Sequence, residues 1–267
     1  MSDQPNWKTM AERTTILRAD VGSRGFGLST ATSDHDEKGV CIEDLDSHVC
    51  LDGKFEQHIE QRKEDPDPSN HLDLEIFALD KFLRLAIHGN PTIVSLLFVK
   101  DYLQVDARGL QLQELVPYLI SRHWGKRFLG YMESQRQKLK GERGQMRVTR
   151  TDLITKYGFD TKFAMHLLRL GYQGIEIMET GKMTLPMGES DKALLMQIRG
   201  GMITLNEVLQ IAGDLERHLK DLITSTHLPD QPNRDYINEW MRDTYYENWK
   251  SRKFRVDQPY FGTRGRL

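Results

Sequence analysis

Apolar residues are spaced differently in the two parts of the chain. Between Thr14 and Val21, Ile16, Leu17, Ala19 and Val21 crowd into a short run that ends at Gly22-Ser23. That run predicts a strand feeding a turn, and Gly25 and Gly27 keep the turn permissive. Gly39-Val40-Cys41-Ile42 predicts a second strand, and a third starts near His71 or Leu72. Lys54–Asn70 is charged and contains Asp65-Pro66-Asp67-Pro68, which predicts an exposed loop. From Ile76 the period changes. Ile76, Leu79, Leu83 and Ala86 recur at helical spacing, and Gly89-Asn90-Pro91 stops that helix. Ile93–Phe98 opens another. Leu110–Leu139 reads as largely helical, with a break at His123-Trp124-Gly125. Further helices are expected at Asp160–Gln173, Glu189–Gly200 and Leu205–Ser225, whereas Lys140–Arg150 and the tail from Phe254 lack apolar periodicity. The predicted class is α+β: a small mixed sheet with helices over residues 1–105, then a helical domain over 106–267.

Composition narrows the function. The 267 residues carry 37 Lys+Arg and 39 Asp+Glu, a net charge of −2, which argues against a histone-like or tail-driven polyanion binder. Apolar residues at 38% suffice for a core. No apolar run is long enough to span a bilayer, and Met1–Met10 has no apolar signal core, so no membrane partner is expected. Cys41 and Cys50 make neither a disulfide framework nor a four-thiolate zinc site. A cytoplasmic protein with reduced thiols is the expectation.

The chemistry concentrates in Gly22-Ser23-Arg24-Gly25-Phe26-Gly27 and Ser33-Asp34-His35-Asp36. Asp34 and Asp36, two apart, share one face if the segment is a strand. Two such carboxylates repel unless a cation lies between them, and hard cations such as Mg²⁺ take oxygen ligands, often beside substrate phosphates. The Gly-Ser turn offers backbone N–H groups and a hydroxyl to a phosphate. A third carboxylate would come from the next strand, where Asp73 is the first choice and Glu75 the fallback. Together these would suit a two-metal phosphoryl-transfer site, while Asp-x-Asp alone is more often a solvated turn. An EF-hand fails, because Lys38 and Leu45 stand where ligands belong. No Gly-Lys-Ser/Thr occurs, and Gly22, Gly25 and Gly27 do not match the dinucleotide spacing.

Gly22–Leu28 followed by Ser33–Val40 resembles the signature of the DNA polymerase β-like nucleotidyltransferase superfamily. Within it, the chain looks like the predicted nucleotidyltransferases of the RNA-repair-pathway type found in bacteria and phages. Asp73–Phe82 with Gly89-Asn90-Pro91 resembles that family's third-carboxylate strand and following helix, which favours Asp73. Tyr157–His166 with Arg169 resembles its C-terminal helical signature, and Leu228-Pro229 also fits. The resemblance covers Thr14–Asn233.

Lys162, His166 and Arg169 fall at i, i+4 and i+7 and share one helix face, beside an apolar stripe of Phe163, Leu167 and Leu170. Alone, such a face is more often simply solvated. The family block turns the reading toward a triphosphate pocket. The resemblance thus implies transfer of a nucleoside monophosphate from a nucleoside triphosphate to an acceptor hydroxyl. Asp34, Asp36 and Asp73 would hold Mg²⁺ or Mn²⁺. Gly22 and Ser23 would position the β- and γ-phosphates, with Lys162, His166 and Arg169 completing the pocket. The acceptor is expected to be an RNA end, with a protein hydroxyl or a small molecule as the alternative. The rival reading of another class is an inactive nucleotide- or RNA-binding module, against which the intact set of three carboxylates argues. The basic run Lys138–Arg150 could steer a polyanionic acceptor. Trp240, Tyr245, Tyr246 and Trp249 read as a packing seam.

Overall fold

A computed structural model describes residues 6–49, 54–141 and 150–253. Helix α1, Trp7–Thr14, is capped by the Asn6 side chain, which accepts the Thr9 N–H at 3.1 Å. Strand β1, Thr15–Asp20, follows without a loop. Next come β2 (His35–Cys41), α2 (Leu45–Val49), β3 (Gln57–Arg62), β4 (Leu72–Ala78) and the two-residue β5 (Gln104–Val105). They form one sheet in the order β3-β4-β2-β1-β5. The central β2–β4 pair is parallel and the other three pairs are antiparallel. Strand β3 corrects the expectation of a loop over Lys54–Asn70. Its side chains are half-buried or exposed, so no apolar alternation marks it; its backbone hydrogen bonds to the flank of β4 make it a strand.

Alternation sorts the sheet's two faces. Leu72, Leu74, Ile76 and Ala78 of β4 join Cys41, Phe55, Met10 and Ala11 in a small core under α1. Phe77 and Val40 point the other way, into the main core shared with the helices. Asp36 and Asp73 have the parity of Val40 and Phe77, so the carboxylates are displayed on the helical side.

The helices are α3 (Leu79–Ile87), α4 (Pro91–Ser95), α5 (Ala107–Glu114), α6 (Val116–Leu119), α7 (Arg122–Leu139), α8 (Thr151–Tyr157), α9 (Thr161–Thr180), α10 (Glu189–Arg199), α11 (Leu205–Ser225) and α12 (Arg234–Lys253). The last three expectations before α12 hold closely, with α9 running seven residues beyond Gln173. Three differ. Ile76 belongs to β4, so α3 begins only at Leu79. The helix expected over Ile93–Phe98 is the single turn of α4, ending at Ser95. The break placed at His123-Trp124-Gly125 lies at Ile120-Ser121 instead. Gly125 is there for close helix approach: a Cβ on it would sit 2.6 Å from the Met178 sulfur and 2.7 Å from Ile223. Trp124 is fully buried core, and Tyr245 is buried within the expected α12 seam. Most of the basic run, residues 142–149, and the tail from Phe254 lie outside the described residues. Among the described residues no helix is long and apolar enough to cross a membrane.

Candidate active site

The turn after β1 is fastened to β2 at its start. Val21 N–H donates to the Asp36 carbonyl at 2.9 Å, and Gly22 N–H to Asp20 Oδ1 at 3.0 Å. A Cβ on Gly22 would lie 2.3 Å from Asp36 Oδ2, so only glycine lets the turn pass this close to the carboxylate. The turn then closes on itself, with Phe26 N–H bonded to Gly22 O and Leu28 N–H to Ser23 O. Among the described residues, the N–H groups of Ser23, Arg24 and Gly25 meet no protein acceptor, which suits an anion. The Arg24 guanidinium crosses back to the carbonyls of Ser33 (2.8 Å) and Asp34 (3.3 Å).

The parallel register sets Asp36 directly beside Asp73, and Asp34 enters just before β2 begins. Asp34, Asp36 and Asp73 each present one carboxylate oxygen, all within 4.8 Å of one another. Burial first, then the charges of Asp34, Asp20 and Asp73, push the Asp36 pKa above the ordinary carboxylate value. Asp73 Oδ1 is buried without a hydrogen-bond partner, while its Oδ2 meets Lys63 at 3.0 Å. Glu75, the fallback, pairs with Lys38 at 3.2 Å and is not gathered with the other two. Three converging carboxylates, one of which also has a buried oxygen without a partner, fit a hard divalent cation such as Mg²⁺ or Mn²⁺.

Helix α9 faces this cluster. Its N-cap Asp160 accepts the N–H groups of Lys162 and Phe163, each at 3.0 Å, and pairs with Arg150 at 3.1 Å. Lys162 is near enough to feel Asp34 and Asp36, yet burial and then Arg150 lower its pKa overall. Burial, followed by Arg169, Lys162, Arg150 and Arg199, drives the His166 pKa well below its usual value, so its imidazole is neutral at pH 7. Arg169 is placed differently. It is buried, its pKa lowered by burial to about 10. Its guanidinium lies 4.1 Å from the Phe26 ring centre and donates to Gln173 at 2.8 Å. It therefore grips the Gly-Ser turn from the helical side. Met187 N–H on Phe26 O (3.2 Å) and Arg199 Nη1 on Leu28 O (3.0 Å) add two more grips.

Three residues join the site without a signal in the sequence, Asp20, Lys63 and Arg199, while Arg150, the end of the basic run, reaches it through its pairing with Asp160. Arg199 senses both Arg150 and the Asp34 charge. Only the fold reveals it, because it lies on a different helix from Lys162. Arg136 of α7 pairs with Glu216 of α11.

The family model described as "RNA repair pathway DNA polymerase beta family" matches residues 5–243. The chain belongs to the RNA repair pathway DNA polymerase beta family. That membership supports nucleotidyl transfer as its general activity. A 38.9 kDa protein from the nrdC–mobD intergenic region of Enterobacteria phage T4 is 26% identical over 137 residues. That match takes in 48% of this chain and 40% of the relative's length. A nucleotidyltransferase-like protein from Exiguobacterium sibiricum 255-15, known from a crystal structure, overlaps 90% of this chain and 78% of its own. Its identity is 14% and its TM-score 0.30.

Proposed function

We propose that this protein is a divalent-cation-dependent nucleotidyltransferase that moves a nucleoside monophosphate from a nucleoside triphosphate to an acceptor hydroxyl, releasing pyrophosphate. The observation that carries the reading is the convergence of Asp34, Asp36 and Asp73 opposite a wall of cations, with one Asp73 oxygen left unpartnered. Mg²⁺ or Mn²⁺ bound by these three carboxylates would neutralise charge on the transferring group and lower the pKa of a bound hydroxyl. The protein's own residues supply the rest. The turn at Gly22 and Ser23 offers the β- and γ-phosphates the N–H groups of Ser23, Arg24 and Gly25 and the Ser23 hydroxyl, with Gly22 leaving room beside Asp36. Lys162 presents a point charge, and neutral His166 a ring N–H. Arg169 shapes the pocket by holding Phe26, and hence the turn, in place. In this division the sheet region, residues 1–105, orients the reacting groups, and the helical region, 106–267, contributes the cations.

The acceptor we favour is an RNA end, in keeping with the RNA-repair description of the family; a protein hydroxyl is the alternative. Incubation of the full chain with labelled nucleoside triphosphates, Mg²⁺, and mixed RNA and protein acceptors tests both. Label on RNA is expected. Label confined to protein would replace the acceptor, and nucleotide binding without transfer to any acceptor would overturn the enzymatic reading.

A further inference from the structure

A cavity of about 250 Å³ opens beside the Gly-Ser turn, on the flank of the sheet away from Asp73. Asp20, Arg24 and Gly25 form one side. Tyr102, on the segment joining α4 to β5, and Leu185-Pro186, between α9 and α10, form the others. The cavity is small for a ligand site, where about 300–1,000 Å³ is usual; it suits one ring system rather than a polymer.

Its walls are built. The Tyr102 hydroxyl donates to Gln113 Oε1 at 2.8 Å. The Gln113 amide in turn donates to the carbonyls of Val99 (3.0 Å) and Leu96 (3.3 Å). Leu103 N–H on Arg18 O (2.9 Å) ties the same segment to β1. The phenol ring is thus held from both sides of its own segment. Leu185 is buried, and Leu103, at the rim, is 57% exposed.

Sheet order decides which substrate this flank serves. Across the sheet, Asp73 on β4 lies to one side of the Asp34–Asp36 strand, and β1 with β5 to the other. In the nucleotidyl-transfer reading, on which this inference rests, the acceptor hydroxyl approaches on the Asp73 side and the triphosphate lies along the Gly-Ser turn. The cavity adjoins that turn and is remote from β4. One immobilised aromatic ring beside Leu185, with Asp20, Arg24, Lys100 and Asp101 on the same lining, fits a flat heteroaromatic group with polar edges. We propose that this cavity is the subsite for the nucleobase of the donor nucleotide, with Tyr102 as its stacking surface.

The test compares nucleotides with a phosphate chain that has no base. Binding of Mg²⁺-loaded ATP, GTP, CTP and UTP, and of inorganic tripolyphosphate, is measured by calorimetry on the full chain. The wild type is expected to bind at least one nucleotide about tenfold or more tighter than tripolyphosphate. Tyr102→Ala should weaken that nucleotide about tenfold and leave tripolyphosphate unchanged. Leu103→Trp alters an exposed rim position, keeps the backbone N–H, and should block the cavity with the same pattern. Lys162→Ala, by contrast, should weaken both ligands. Wild-type nucleotide affinity in both cavity variants would overturn the subsite while leaving the nucleotidyl-transfer reading intact. So would variants that change only the KM for the acceptor. A wild type that binds neither nucleotide nor tripolyphosphate would overturn both.

Discussion

Strands β2 and β4 carry carboxylates at both ends, and the two ends treat them in opposite ways. Where the strands finish, Glu43 is fully buried, and its Oε1 lies 2.6 Å from His48 Nδ1 and accepts from the Tyr245 hydroxyl at 2.9 Å. Trp249 donates its indole N–H to the Glu43 carbonyl, and Asp80 is paired with Lys54 at 2.5 Å and Arg84 at 3.5 Å. Burial and the Glu43 charge together push the Tyr245 pKa up, keeping that hydroxyl a donor. Where the strands begin, Asp34, Asp36 and Asp73 face one another; the half-exposed Lys63 pairs with Asp73, and Lys162 acts on Asp34 and Asp36 through its charge. One end is tied up by its own side chains and fastens α12 to the sheet, although Glu43 Oε2 and Asp80 Oδ1 have no hydrogen-bond partner there. The other brings three carboxylates face to face, where a bound cation would relieve their repulsion. Residue type does not distinguish the two; the partners do.

Breaking the open end should have the largest effect. Asp34→Asn or Asp36→Asn is expected to abolish labelled transfer, while the melting temperature without metal holds or rises, because a like-charge contact is relieved. Retained activity in either variant would exclude the cation site. Asp73→Asn should come next: transfer slows by orders of magnitude with Mg²⁺–nucleotide affinity nearly kept, as for an interaction made mainly in the transition state. Glu75→Gln, already engaged by Lys38, should change the rate only mildly; the reverse ranking would move the site two residues along β4.

At the tied end the outcome inverts. Glu43→Gln should cost about 1–3 kcal/mol of stability in denaturant titration, since His48 and Tyr245 lose a charged partner, yet nucleotide affinity should not move. Loss of catalysis with unchanged stability would erase the contrast between the two ends. Smaller still, Lys162→Ala should weaken triphosphate binding by about tenfold, measured by calorimetry against the monophosphate, which should lose less.

The smallest effect is one of pH. The folded-state pKa of Asp36 is raised above its unfolded value, so the folded chain holds that proton more tightly. Its contribution is fully present below the unfolded pKa of about 4 and is lost as pH rises through the higher folded value. Without metal, the melting temperature of the wild type minus that of Asp36→Asn should therefore fall as pH rises from acid to neutral. Saturating Mg²⁺ should reverse the slope.

The sequence announces the open end far better than the frame around it. The Gly-Ser turn and the spacing of Asp34, Asp36 and Asp73 are local patterns, and long helices such as α11 carry an uninterrupted apolar stripe. Strand β3 is invisible because Gln57–Arg62 buries little, and only its pairing with β4 makes it a strand. Gly125 reads as a breaker because a sequence does not show Met178 and Ile223 closing on it. Arg199 stays hidden for the same reason: its convergence on Lys162 is a product of helix packing, and no spacing along one helix encodes it.

The grip on Phe26 also orders events during synthesis. All three carboxylates lie in the first part of the chain to leave the ribosome. Arg150, Lys162, Arg169, Met187 and Arg199 follow only with the second half. A nascent or prematurely terminated product ending before Arg150 would carry the acidic cluster with its turn unclamped and no cation wall opposite. In the proposed reading such a product would not transfer nucleotides.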